Sequence, residues 1–470
     1  MVTMWVSAEM VGICGLLSMF HGLLPGMSFP LAATPGAVPP ESIRAAEEAS
    51  RVFTTDEVLS PYIYVFYASF IVAFCFTPVM RFIANYYGII DEPDNLRKMH
   101  SKPVAYLGGV AVFLGWISGL AMSQFLQVHG EEASSLSHLY VNFSLVAGAT
   151  ITIVLGLWDD LFGLLPWAKI GGQVFAATIL LAFHIGTHCA EPMINPINVR
   201  LHMYLHWEIP PGVVTAISCL VTYGVIVGCC NATNLMDGLD GLCGGVTAVI
   251  AAGFLFLAVN IARFDGGFHV NLDGLRVVLA LSLLGAVLGF VPYNFNPASI
   301  FMGDAGSMLL GFCCGTMILL AAQETHPKWF LASLIMFSLP MLDTALAFAR
   351  RYVNKRPLFA ADRYHFHHQM VARGYSIKKT VLISYGLAIF FAFAGGAVAY
   401  IRTRYAVAFY LVIFGSIIVA AHKMGMVHEK PRVVERKPLG NAGAFDTIGA
   451  VAQIEPNSVL EIRDSADAVR

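Results

Sequence analysis

Residues 231–245 read NATNLMDGLDGLCGG and stand between two long apolar runs, 212–230 and 246–260. An ionised side chain at the centre of a bilayer costs roughly 2.5 to 3.5 kcal/mol on insertion scales, so Asp237 and Asp240 belong at a membrane boundary or beside a wet cavity. Asn231, Asn234, Asp237 and Asp240 recur every third residue, which on a helix makes a row of oxygen donors winding slowly around the axis. Gly238, Gly241, Gly244 and Gly245 argue against one regular helix through the whole stretch and let a ligand approach the backbone. Such donors suit Mg²⁺ and the polar groups of a nucleotide. A polar, glycine-rich loop without a ligand is the alternative.

The rest of the chain places this stretch in a membrane protein. Of its 470 residues 57% are hydrophobic and 12% charged, with a mean hydropathy of +0.69, too apolar for a soluble protein. Windows long enough to span fall at 61–81, 107–125, 139–157, 170–185, 212–230, 242–260, 275–292, 306–320, 329–349, 381–399 and 406–421, the fourth and eighth being short. The predicted fold is therefore all-α and polytopic, with about eleven transmembrane helices. Threading the spans alternately puts loops 82–106, 158–169, 231–241, 292–305 and 350–380 on one side, together with most of the Lys and Arg. That side is read as cytoplasmic by the positive-inside rule. The expected divisions are an N-terminal extension, 1–60, with a further apolar segment at 4–24; a transmembrane domain, 61–422; and a polar cytoplasmic tail, 423–470. A net charge of −2 gives no argument for a nucleic-acid partner. The nine cysteines fall mostly in apolar windows with no CxxC pair, and are read as small apolar residues rather than metal ligands or disulfides.

Four more polar clusters share the predicted cytoplasmic side. DEPDNLRKMH, residues 91–100, supplies Arg97, Lys98 and His100 ahead of Gly108 and Gly109, which suits phosphate binding as well as an ordinary basic loop. Asp159 and Asp160 close the third span; adjacent carboxylates at a helix end need a cation or a shared proton, and Lys169 can face the same place. NPASIFMGDAGS, residues 296–307, joins Asp304 to a helix N-terminus that can offer N–H groups to an anion. Residues 343–374, read as the longest loop, carry Arg350, Arg351, Arg356, Arg363, His365, His367 and His368, donors for phosphoryl oxygens. A zinc site at HxHH is disfavoured by the absence of cysteine and by the basic surroundings. Acidic oxygens and cationic donors on one face form the inventory needed to handle Mg²⁺ and a diphosphate, and apolar helices around them can hold a lipid tail.

With these motifs in family order, over roughly 61–420, the chain resembles the polyprenyl-phosphate N-acetylhexosamine-1-phosphate transferases, glycosyltransferase family 4. The signatures are DxPxxxRKxH before paired glycines, the DD pair, NxxNLxDGLDGL, FMGDxGS and DRxHxHH. The loop DRYHFHH, 362–368, is similar to the WecA-like branch, and less so to the branch that moves phospho-N-acetylmuramoyl-pentapeptide. The resemblance implies transfer of a sugar 1-phosphate, N-acetylglucosamine 1-phosphate first among the choices, from a UDP-sugar to undecaprenyl phosphate at the inner face of the plasma membrane, with release of UMP. It further implies Asp304 as a principal Mg²⁺ ligand with Asn234 nearby, Mn²⁺ being a substitute ion. Asp240 would recognise uracil, Asp159 and Asp160 would lie at the lipid phosphate, and Lys169, Arg363, His365, His367 and His368 would hold the diphosphate. Asp237 joins this catalytic set, and Asn231, Arg97, Lys98, His100 and Arg356 complete the binding set. The resemblance also implies products that start surface polysaccharides such as O-antigen. A homodimer is left open. The rival class is a secondary transporter, but transporters keep carboxylates near the bilayer midplane, whereas these fall at span ends on one side.

Overall fold

A computed structural model describes residues 54–91, 103–128, 135–264, 270–324, 326–355 and 365–423. The expected N-terminal segment and the tail beyond 423 lie outside the described residues, as do Arg97, Lys98, His100, Arg356 and Arg363.

The first helical stretch begins earlier than hydropathy predicts. Thr54 accepts the N–H of Glu57 at 3.2 Å while its own N–H reaches the Glu57 carboxylate at 2.8 Å, a reciprocal cap that starts α1 (Thr55–Leu59). After a single 3₁₀ turn at Ser60–Tyr62 the chain continues as α2 (Ile63–Tyr87). A two-stranded ribbon, β1 (Ile90–Asp91) against β2 (Val104–Ala105), leads to α3 (Gly108–Val128). Then come α4 (Ser135–Phe162), α5 (Pro166–Ala182), α6 (Glu191–Leu205), α7 (Pro211–Met236), α8 (Leu242–Phe264), α9 (Val270–Asn294) and α10 (Gly303–Ala322). The chain ends in α11 (Pro327–Met336), α12 (Ser338–Val353), α13 (Phe366–Ala372), α14 (Ile377–Val398) and α15 (Thr403–Lys423).

Among the described residues eight helices are long and apolar enough to cross a membrane, nine if α11 and α12 count as one broken span. The fold is thus an all-α, polytopic membrane protein. Two of the eleven expected windows fall short: α5 has 17 residues, and the apolar part of the last helix ends at Ser416. A third, 329–349, is two helices meeting at 74° about Phe337 rather than one rod. Its second half carries Asp343, Arg350 and Arg351, all buried, so the loop expected from 343 onward is helical to Val353.

Helix α10 stands at the centre, with its whole apolar window enclosed by protein. Lipid tails are as apolar as leucine, so packing within a bilayer relies on close approach of small residues rather than on exclusion of water. On α10, Asp304, Ser307, Gly311 and Gly315 share one face. A Cβ at Gly311 would stand 2.5 Å from the Cys229 carbonyl oxygen and from the Cys230 Cα, so only glycine lets α7 pack this closely. This contact brings Asn234 of α7 alongside Asp304. Gly311→Val is expected to lower the melting temperature by several degrees or prevent accumulation, since overpacking a filled core costs about 1–3 kcal/mol or more; a normal melt measured on purified protein would contradict this packing.

At the other end of α10, Arg276 of α9 donates to the Leu320 carbonyl at 2.9 Å and to Asp273 at 2.7 Å, and it pairs with Glu324. Arg276 and Asp273 are buried and their charges are paired, as buried charges must be. They tie α9 to the C-terminal turn of α10.

Candidate active site

The N-terminus of α10 is where separate motifs meet. Residues 300–302 run beside β2: Phe301 donates to the Ala105 carbonyl at 2.8 Å, and the N–H groups of Gly108 and Gly109 donate to Phe301 and Met302 at 2.9 Å. A Cβ at Gly109 would lie 2.3 Å from the Gly306 nitrogen, so the paired glycines let the starts of α3 and α10 touch backbone to backbone. Asp160, in the last turn of α4, accepts the N–H of Asp304 at 2.8 Å and of Ala305 at 3.1 Å. The helix N-terminus expected to receive an external anion is therefore capped by the protein's own carboxylate. This cap also explains why α10 starts at Gly303 rather than at 306.

Asp160 thus fixes the backbone of Asp304, whose side chain collects the remaining groups. The Asp304 carboxylate accepts from Lys169 Nζ at 2.8 Å and from Asn234 Nδ2 at 2.8 Å, and the same Asn234 amide reaches Ser307 Oγ at 3.0 Å. Lys169 also pairs with Asp159, whose other oxygen accepts the N–H of Leu164 at 2.6 Å. One ammonium from α5 consequently sits between two carboxylates, from α4 and α10. Asp159, Asp160, Lys169, Asn234 and Asp304 come together from four helices.

Other expected binding residues hold protein groups instead. Asn231 donates to Gln173 at 2.8 Å and to the Val227 carbonyl at 2.7 Å, tying α7 to α5 one turn below the carboxylates, because the helix turns its side chain away from Asp304. Asp240 accepts from Asn296 at 2.9 Å and from the Ala298 N–H at 3.0 Å, bracing the loop that precedes the FMGD segment. The regular helix ends at Met236, and α8 restarts at Leu242, so Asp237 lies in the break. Burial first, then the negative charges of Asp304, Asp160 and Asp240, push its carboxyl up to about 8.

This shift has a consequence for stability. An ordinary aspartate in the unfolded chain loses its proton near pH 3.8. Between that pH and about 8 the folded state holds a proton that unfolding releases, so stability falls as pH rises through the window. Asp237→Asn is expected to match the parent melting temperature near pH 4 and to exceed it by a few degrees near pH 8. A difference that does not change between the two pH values, measured by thermal melting in detergent, would refute the assignment.

The histidine segment reaches the same break. The rings of His365 and His367 lie parallel, 5.7 Å apart, and His367 Nε2 packs on Gly238. His367 was expected to act with its neighbours as a cationic donor. Its burial, followed by the charge of His368, lowers its pKa to about 3 against the opposing pull of Asp343, so it is a neutral imidazole. Two residues that the motifs do not single out also belong here. Asp343, almost fully buried, lies beneath the histidines. The Tyr106 phenol is held protonated by burial and by the surrounding charges of Asp160, Asp91, Asp237 and Asp304.

Residues 142–322 match the family described as Glycosyl transferase family 4. Among individual relatives, a Bacillus subtilis protein named "Probable undecaprenyl-phosphate N-acetylglucosaminyl 1-phosphate transferase" is 30% identical over 378 residues, 80% of this chain and 95% of its own length. A Mycobacterium tuberculosis decaprenyl-phosphate N-acetylglucosaminephosphotransferase is 32% identical over 366 residues, 74% of this chain and 85% of its own. The Escherichia coli undecaprenyl-phosphate alpha-N-acetylglucosaminyl 1-phosphate transferase is 26% identical over 327 residues, 67% and 79% respectively. With similarity that spans most of both chains, this chain belongs to glycosyl transferase family 4.

Proposed function

We propose that this protein transfers N-acetylglucosamine 1-phosphate from a UDP-sugar to undecaprenyl phosphate on the cytoplasmic side of the plasma membrane, releasing UMP. The observation that carries the reading is the meeting of Asp159, Lys169, Asn234 and Asp304 at one end of the bundle, held by hydrogen bonds and ion pairs. The names of the relatives support the lipid acceptor and the sugar. The predominance of Lys and Arg in the loops on the site's side supports its orientation.

Both substrates are anionic, so the largest contribution is expected from neutralising charge where phosphoryl oxygens meet. The donor set fits a divalent cation: two carboxylates share one ammonium, leaving hard oxygens with negative charge in excess. Among the described residues no three of His, Cys, Asp and Glu form a complete metal cage. Mg²⁺ does not require one, since it keeps several waters and takes one or two carboxylates together with substrate phosphates. Asp304, with the Asn234 side chain, would hold it, and it would supply charge stabilisation to the diphosphate. Lys169 offers a point charge to a phosphoryl oxygen, and Asp160 keeps Asp304 in place.

The acceptor phosphate, with a second pKa of about 6, is mostly a dianion at neutral pH and has little proton to lose. In the direct route its oxygen attacks the β-phosphorus, the bond from that phosphorus to the UMP oxygen breaks, and Asp159 orients the acceptor or takes a residual proton. Phosphorylated enzyme trapped with UDP-sugar in the absence of acceptor would overturn this route in favour of an aspartyl-phosphate.

The deciding experiment supplies purified protein with Mg²⁺, undecaprenyl phosphate and a panel of labelled UDP-sugars. Label from UDP-N-acetylglucosamine is expected in the organic phase. Extraction of a different sugar would replace the donor, and extraction of none would refute the reaction.

A further inference from the structure

The spacing of HxH has a geometric reason that involves a residue outside the motif. Helix α12 leaves the line of α11 at 74°, and this turn carries Asp343 beneath the start of α13. Three consecutive residues then face one carboxylate. Its Oδ1 accepts the N–H of Phe366 at 2.8 Å, while Oδ2 meets Nδ1 of His365 at 3.2 Å and faces Nδ1 of His367 at 3.8 Å. Because residues 365 and 367 flank the amide that Asp343 binds, their rings stand nearly parallel, at 8°. An acceptor-only carboxylate opposite both Nδ1 atoms favours the tautomer with the proton on that nitrogen, leaving Nε2 as the outward-facing atom of each ring.

The outward edge of His367 meets the DGLDG loop. Its Nε2 is buried and has no hydrogen-bond partner, an open valence in a group that is otherwise enclosed. A Cβ at Gly238 would stand 2.4 Å from that nitrogen. Gly238 has no positive φ, so its lack of a side chain answers to this contact rather than to backbone conformation.

We infer that Asp343 is a positioning residue of the reaction, acting through the histidines: its carboxylate sets the ring orientation of His365 and His367 and keeps the proton of each on Nδ1, while Gly238 leaves room for the Nε2 edge of His367. This inference rests on the transferase reading above. Wild-type turnover in the same assay separates the two, because an inactive parent refutes the reaction, whereas an active parent with unresponsive variants refutes only the role of Asp343.

The test is steady-state transfer by the full-length protein with Mg²⁺, UDP-N-acetylglucosamine and undecaprenyl phosphate, alongside thermal melts. In Asp343→Asn the oxygen can still serve Phe366, but the amide NH₂ then faces Nδ1 and drives the proton to Nε2. A loss in kcat/KM of roughly 10- to 100-fold is expected, the range for groups that orient a functional histidine. Combined with His365→Gln, the loss is expected to be smaller than the product of the two single losses, since both changes interrupt one relay. Losses that multiply in full, or an Asp343→Asn protein with parent kinetics, would overturn the proposal. Should Asp343→Asn not fold, Gly238→Ala decides by itself: at least a roughly 10-fold loss with an unchanged melt is expected from the displaced imidazole, and parent kinetics would overturn it.

Discussion

Asp304→Asn is expected to lower sugar-phosphate transfer by about 10³-fold or more while leaving the fold intact. The amide has the shape of the carboxylate, so one oxygen can still accept from Lys169 or Asn234, which now reach it at 2.8 Å each. The backbone N–H groups of residues 304 and 305 remain capped by Asp160 whatever the side chain is. What is lost is the negative charge that Mg²⁺ would be held by. The melting temperature should stay within a few degrees of the parent, because one attraction to Lys169 is exchanged for relief of repulsion from Asp159. Turnover close to the parent value, in a variant shown to be folded, would remove Asp304 from the centre of the mechanism.

Lys169→Met is expected to have the second-largest effect, with a signature of its own. Without the ammonium, the carboxylates of Asp159 and Asp304 face each other uncompensated, a repulsion of about 4 kcal/mol at 4 Å before solvent screening reduces it. In magnesium-free buffer the melting temperature should therefore fall. Added Mg²⁺ should raise it more in the variant than in the parent, since the divalent ion no longer competes with a resident cation for the same oxygens. Transfer at saturating Mg²⁺ should still fall about 100-fold, because in the proposed mechanism Lys169 also offers a charge to a phosphoryl oxygen. Equal Mg²⁺ shifts in the two proteins would mean that the lysine and the ion do not share ligands.

Hydropathy and motif spacing reveal the bundle and the residues that gather at the N-terminus of α10, because both depend on composition and order. They do not reveal direction. The run 329–349 has the composition of one span, and the 74° bend at Phe337 arises from packing that no periodicity records. Nor does residue type separate a ligand from a brace. Asp160, Asn231 and Asp240 have the chemistry of binding residues, yet each is turned toward a backbone or side-chain partner within the protein. Asp343 could have been found: a carboxylate within a predicted span requires a partner, by the same reasoning that singled out Asp237 and Asp240. The histidines supplying that partner lie 22 residues farther on, a separation that only the fold closes.

Full enclosure of α10 also sets how the enzyme should respond to its surroundings. Bilayers differ in thickness, and spanning segments adjust by tilting or by deforming the lipid nearby. Here that adjustment falls on the outer segments, such as Thr55–Tyr87, only 22% of whose spanning window is covered by protein. The rod bearing Asp304 is shielded from acyl chains, so this one carboxylate should keep its place in short- and long-chain lipids alike, while Asp159 and Asn234 ride on spans only 33% covered by protein.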